Sequence, residues 1–317
     1  MKEVKFLSAV LIAILMMLYL DTREDNVSES DTEITIAATN AADITGLRLV
    51  TRTQTISMAI KKDADGDEYP WFRIESKSST RAFVANDKTK KLVAKYARLQ
   101  AIRSLGKDFS PQEIEKLKLH SPMRRLVIQQ SSENKTFELG GRTHGARDHY
   151  IKAKDGSEVF LIAKKTIADL ESPESRLMQR KVISAKLEDV SSAIITGKTK
   201  TREILRKNRL SKKDAFWASK KEPDQRNETL GNYMSKLLSV TARAYGTREK
   251  PLESESLLLR LKLLNESEDV IDEFEISKGA TKRPSYLIRS KATRQMAEIR
   301  RTLGEQLEQD LSSVLNF

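Results

Sequence analysis

The longest apolar run of the chain lies near its start: residues 6–20, broken only by Ser8, follow Lys2 and Lys5 and stop abruptly at Asp21. Phe6, Leu7, Val10, Leu11, Ile12, Ile14, Leu15, Met16, Met17, Leu18 and Leu20 predict a membrane-anchoring helix, because a run apolar on every face seldom begins a soluble chain. Its exit, Leu18-Tyr19-Leu20-Asp21, lacks the small residues that a signal peptidase needs, so the segment reads as an uncleaved anchor rather than a cleaved leader. A bilayer core asks for about 20 apolar residues, and this shorter run implies local thinning of the bilayer or snorkelling by Lys2 and Lys5. Cations ahead of the run hold the N-terminus in the cytoplasm. The expected location is the bacterial inner membrane, single pass, with the bulk of the chain in the periplasm. Residues 21–40 are acidic and poor in large apolar side chains, which predicts a flexible tether.

Beyond the tether the pattern recurs. Asp43-Ile44 is followed by Leu47 and Leu49, and Asp189-Val190 by Ala193 and Ile195 at the same offsets. Trp71 and Trp217, the only 2 tryptophans, each stand 28 residues after the aspartate. A helical period follows each one: Leu92, Tyr96, Leu99 and Ile102 in the first copy, then Leu230, Tyr233 or Met234, Leu237 and Thr241 in the second. Strand-like runs come next. The first copy offers Leu126–Ile128, Thr136–Leu139, Tyr150-Ile151 and Val159–Ile162, and the second offers Leu257–Leu264, Val270–Ile276 and Tyr286–Ile288. Ser110, Pro111 and Glu113 form a capping-box start for a short helix through Leu119, ending before Pro122. A helix over 164–170 closes the first copy, and Met296, Ile299, Leu303, Leu307, Leu311 and Val314 mark one stripe of a long C-terminal helix.

Strands and helices in this order, without alternating strand–helix–strand units, predict an α+β fold of mostly antiparallel strands with packed helices. The expected organisation is an anchor over 1–20, a tether over 21–40, one α+β repeat over 41–170, a polar linker over 171–187 and a second repeat over 188–317.

Composition narrows the chemistry. The absence of cysteine among 317 residues removes disulfides, zinc ribbons, iron–sulfur sites and thiol nucleophiles. The net charge of +12 is concentrated between Lys198 and Lys221. There Lys200, Arg202, Arg206, Lys207, Arg209, Lys212 and Lys213 form a candidate contact for an anionic surface such as lipid headgroups or an acidic envelope polymer. Only Phe216 and Trp217 interleave with these cations, and no nucleic-acid partner is expected.

His144, Asp148 and His149 are donors of metal-binding type, but their segment is glycine-rich and carries Arg142 and Arg147, so no metal site is expected. Asp63, Asp65, Gly66, Asp67 and Glu68 resemble part of a calcium loop and fit a polar turn better. Neither a nucleophile elbow nor a phosphate loop is present, so no catalytic residue and no cofactor is assigned.

Leu119 and Pro122, Leu139-Gly140, Tyr150-Ile151, Val159–Ile162 and Arg176-Leu177, behind a membrane anchor and an Asp-Ile strand, carry a resemblance. Together they resemble the uncharacterised bacterial domain family found beside, or fused to, auxiliary components of gliding-motility-type ABC transporters. The likeness covers roughly residues 40–185, and the second copy echoes it faintly. One position departs: the family's turn carries a glycine where this chain has Lys118. The resemblance implies an inner-membrane protein with a periplasmic domain, transporter subunits as partners and no established reaction. The functional expectation is a non-enzymatic accessory or adaptor module of the cell envelope. The alternative is a periplasmic ligand binder or envelope enzyme with a cleft between the two repeats.

Overall fold

The computed structural model describes residues 34–63, 65–119, 124–143, 145, 147–246 and 256–316. The expected anchor, residues 1–20, lies outside the described residues.

The fold is α+β, and every strand pair is antiparallel. Strands β1 (Ile34–Ala38) and β6 (Arg98–Ala101) form a separate ribbon. The first large sheet contains β2 (Ile44–Val50), β3 (Gln54–Lys62), β4 (Glu68–Ser76), β5 (Thr80–Val84), β7 (Arg103–Gly106), β8 (Arg124–Gln130), β9 (Lys135–Arg142), β10 (Asp148–Ala153) and β11 (Val159–Ala163), in the order β5-β4-β3-β2-β8-β9-β10-β11-β7. The second contains β12 (Ser192–Thr196), β13 (Thr201–Lys207), β14 (Phe216–Ser219), β15 (Ala244–Tyr245), β16 (Ser256–Leu264), β17 (Val270–Lys278), β18 (Tyr286–Ser290) and β19 (Ala297–Glu298), in the order β14-β13-β12-β16-β17-β18-β19-β15. Helices α1 (Lys88–Ala97), α2 (Pro111–Lys116), α3 (Lys164–Glu171) and α4 (Pro173–Arg176) belong to the first half and the connection. Helices α5 (Glu228–Leu238) and α6 (Arg301–Asn316) belong to the second half.

The two sheets share one wiring. A three-strand meander leads to a helix, a short strand crosses to the far edge, and a four-strand meander beside the first strand ends in a second helix. Strand β5 and helix α2 are additions to the first half. Matching ties join the helices of each half. The Tyr96 hydroxyl on α1 donates to the Thr166 carbonyl of α3 at 2.9 Å, and the Tyr233 hydroxyl on α5 donates to the Leu307 carbonyl of α6 at 3.4 Å. Lysines of the same helices pair with Asp169 and Asp310. Burial pushes both tyrosine pKa values up, helped by those aspartates.

The equal spacing of the tryptophans conceals a shift. Met58 of β3 pairs with Phe72, whereas Ile204 of β13 pairs with Ser219. The second hairpin is therefore one residue out of step with the first, and a one-residue slip turns a side chain to the opposite face. Trp217 faces the helices beside Ile204, while Trp71 shares the outer face with Tyr69 and Val84.

Several expected boundaries move. Helix α1 stops at Ala97, because the chain turns extended there to pair β6 with β1; Leu99 is buried in that ribbon and Ile102 is 44% exposed. That pairing also places Ile34–Ala38, expected to belong to the tether over 21–40, in a strand of the folded body; residues 21–33 lie outside the described residues. Thr241 lies past α5, and α6 begins at Arg301 because Ala297-Glu298 joins the sheet as β19.

The capping box at Ser110 and Glu113 is present, and α2 ends at Lys116 in a Schellman motif. There Leu119 N–H donates to the Ile114 carbonyl and Lys118 N–H to the Glu115 carbonyl. Lys118 adopts φ +60°, so the lysine takes the left-handed conformation that a glycine would take more easily. The following turn lies so close to β9 that a Cβ on Gly140 would stand 2.4 Å from the Leu117 oxygen.

The polar segment between the halves is a seam. Leu177, Met178, Val182 and Ile183 are buried in a hydrophobic cluster that includes core residues of both sheets. On one side Asn86 N–H donates to the Leu177 carbonyl and Gln179 N–H to the Val84 carbonyl. On the other, Ala242 N–H donates to the Arg180 carbonyl, the Tyr245 hydroxyl to the Gln179 carbonyl, and the Asp272 carboxylate accepts from the Ser184 and Ala185 N–H groups. Arg294 adds a direct clasp, pairing with Asp63 and lying 5.1 Å from the Tyr69 ring centre.

Candidate functional site

A cleft of about 540 Å³ opens at the β14 edge of the second sheet. Phe216 and Trp217 of β14 line it from the strand, one wall is the face of α5 carrying Gly231, Asn232, Ser235 and Leu238, and the rest comes from Leu187, Arg206, Lys212, Ala215 and residues 226–228. It lies within the second half rather than between the halves.

Local chemistry fixes the frame. Asn227 caps α5, its side chain accepting from Leu230 N–H at 3.0 Å, and its own N–H donates to the Trp217 carbonyl at 3.0 Å. The start of α5 is thereby pinned to β14. Arg206 projects from the inward face of β13, donates to the Leu187 carbonyl and lies 5.8 Å from the Trp217 ring centre. Burial lowers its guanidinium pKa, and Glu188 opposes that shift. Arg226 stands over Phe216 at 5.6 Å. Gly231 leaves open space where a Cβ would project.

The basic run does not form one face. Lys200 reaches the Asn316 side chain and Arg202 the Val314 carbonyl, so both sit at the C-terminal end of α6, where a helix favours cations. Lys207 pairs with Asp224 and Arg209 with Glu266. Lys213 is exposed in the loop before β14. Only Arg206 and Lys212 of the run line the cleft, and Arg226 joins them from outside it. The signal for that third cation was local: it directly precedes an asparagine that starts an apolar helical period.

The other candidates are resolved by position. His149 and Asp148 are adjacent on β10, so they point to opposite faces and cannot share an ion; His144 lies outside the described residues. His149 is fully buried on the helix side, with Nδ1 accepting from Arg124 at 3.4 Å and Nε2 without a partner among the described residues. Burial, with Arg124, Arg142 and Lys164 nearby, brings its pKa down to about 4. Arg124 is held in turn by Glu171. Asp63 shapes the β3–β4 turn by accepting from the Asp65 and Asp67 N–H groups, with Gly66 at φ +87°. Among the described residues no His, Asp and Glu side chains gather as a metal-ligand set, and no helix is long and apolar enough to cross a membrane.

No curated protein and no solved structure matches the chain. Residues 82–259 match a family described as Domain of unknown function (DUF4340). That stretch runs from β5 to β16, so it spans the seam and every residue that lines the cleft rather than either copy alone. With more than half of its length matched, the chain belongs to this family.

Proposed function

We propose that the protein is a membrane-tethered, non-enzymatic accessory module of the bacterial cell envelope, serving as an adaptor for transporter subunits. The N-terminal run over residues 6–20 behind Lys2 and Lys5 supports the tether. The observation that carries the non-enzymatic reading is how the strongly shifted groups are used. Perturbed pKa values mark active sites when the groups face a cleft. Here Tyr96, Tyr233 and Tyr245 donate to backbone carbonyls of neighbouring elements, Tyr286 donates to Glu308 of α6, and His149 is buried beneath Arg124. The four tyrosines are committed to holding packed elements together, and none of the five groups lines the cleft.

The test is crosslinking in native membranes followed by identification of captured proteins, with protease protection in spheroplasts. Capture of transporter subunits and digestion of the body from the periplasmic side are expected. Recovery without any transporter subunit overturns the adaptor role, and protection of the body overturns the orientation.

A further inference from the structure

We propose that the cleft beside β14 is a binding site for a phosphate monoester. Three cations from three separate segments converge on it: Arg206 from β13, Lys212 from the β13–β14 loop and Arg226 from the turn before α5. Glu228 is the one carboxylate among the lining residues, so the cleft carries a surplus of two positive charges. Neither Lys212 nor Arg226 forms an ion pair among the described residues, whereas Lys207, Arg209 and Lys220 of the neighbouring run pair with Asp224, Glu266 and Glu203. Like charges brought together around a concavity raise its potential and draw in an anion.

The arrangement favours phosphate. A guanidinium presents two parallel donors that match phosphate oxygens, and a lysine adds a mobile point charge. Arg206 is already held by the Leu187 carbonyl and the Trp217 ring, so its ordering is complete before a ligand arrives. A volume of about 540 Å³ exceeds the needs of a bare anion, and the apolar lining from β14, Leu187 and Leu238 suits an apolar organic group on the ester. The site is particular to one copy, because β5 covers the matching edge of the first sheet. The inference is independent of where the chain is anchored.

A phosphate monoester arrives either as a soluble molecule or as a lipid headgroup, and the experiment separates them. The full chain in zwitterionic detergent is titrated by calorimetry with phenyl phosphate, inorganic phosphate and phenol. In a parallel arm it is reconstituted with phosphatidylcholine vesicles that contain or lack phosphatidic acid, and protection of Arg226 from an arginine-specific reagent is followed. Saturable binding of phenyl phosphate and none of phenol is expected. Arg226→Gln and Lys212→Gln should each weaken binding about tenfold or more, while Lys200→Gln, whose side chain contacts the end of α6, should leave it unchanged. Both cleft variants alter exposed side chains, and an unchanged melting temperature confirms their fold. Protection by phosphatidic acid assigns the headgroup, and binding of phenyl phosphate without that protection assigns a soluble ester. No saturable binding and no protection, or an affinity in both cleft variants unchanged from that of the natural chain, overturns the proposal.

Discussion

Among the described residues, lowering the pH from 7 to 5 titrates one group whose folded and unfolded states differ strongly, the buried imidazole of His149. In the folded chain its pKa is down to about 4, because burial and the cations Arg124, Arg142 and Lys164 all oppose a further positive charge. In the unfolded chain it returns to about 6.5, so between these values the unfolded state binds the proton that the folded state refuses. A depressed folded value gives stability that is full above pH 6.5 and is lost as the pH falls toward 4. The linkage amounts to about 2 kcal/mol between pH 7 and pH 5 and roughly 3 kcal/mol by pH 4. Urea titrations followed by circular dichroism at pH 7 and pH 5, on the natural chain and on His149→Gln, isolate this contribution, since the carboxylates titrate alike in both. The natural chain should lose about 2 kcal/mol more than the variant over that step. Parallel losses would refute the buried, neutral imidazole.

Three further outcomes are expected. Lys118→Gly relieves a left-handed lysine and should stabilise the chain by roughly 0.5–1 kcal/mol after the added flexibility of the unfolded state is offset; a lower melting temperature would contradict the turn geometry. Two glycine-to-alanine changes inside helices should act with opposite sign. Gly304→Ala places a Cβ 2.2 Å from Tyr286 Cγ and should cost roughly 1–3 kcal/mol, whereas Gly231→Ala meets nothing within 4 Å and should gain about 0.5–1 kcal/mol of helix propensity. Thermal unfolding monitored by calorimetry should give one endotherm whose calorimetric and van't Hoff enthalpies agree, because the core continues through the seam. Two resolved endotherms would show that the halves unfold separately.

Much of the architecture is legible in the sequence because it rests on local pattern. The long strands β8, β9, β16 and β17 coincide with apolar runs, and the capping box at Ser110 announced its helix. What escaped depends on pairing between distant segments. The two-residue strand β19 exists because it pairs with β18, and β15 because it pairs with β19; no periodicity records two residues. Leu99 and Ile102 continue a helical spacing by coincidence; β1 drew the chain into a ribbon instead. The tryptophan spacing is similarly deceptive, since an equal count along the chain does not fix hairpin register. The apolar pairs Leu177-Met178 and Val182-Ile183 were the available sign that residues 171–187 are a seam. The cleft was half visible: Arg206 and Lys212 stood out as part of a charge run, but that run dissolves into separate positions, since Arg202 and Arg206 share one face of β13 yet reach the end of α6 and the cleft, while Lys207 turns to the other face.

The seam changes what the shared wiring of the two sheets means for this chain. Tandem copies commonly behave as beads, so that one can be deleted, exchanged or damaged while the other persists. Here an excised first half would leave Val84 and Asn86 without their backbone partners, and an excised second half would leave Asp272 facing no donor from residues 184–185. The smallest transplantable piece is the whole two-sheet body. A fault introduced in either copy is therefore inherited by its twin.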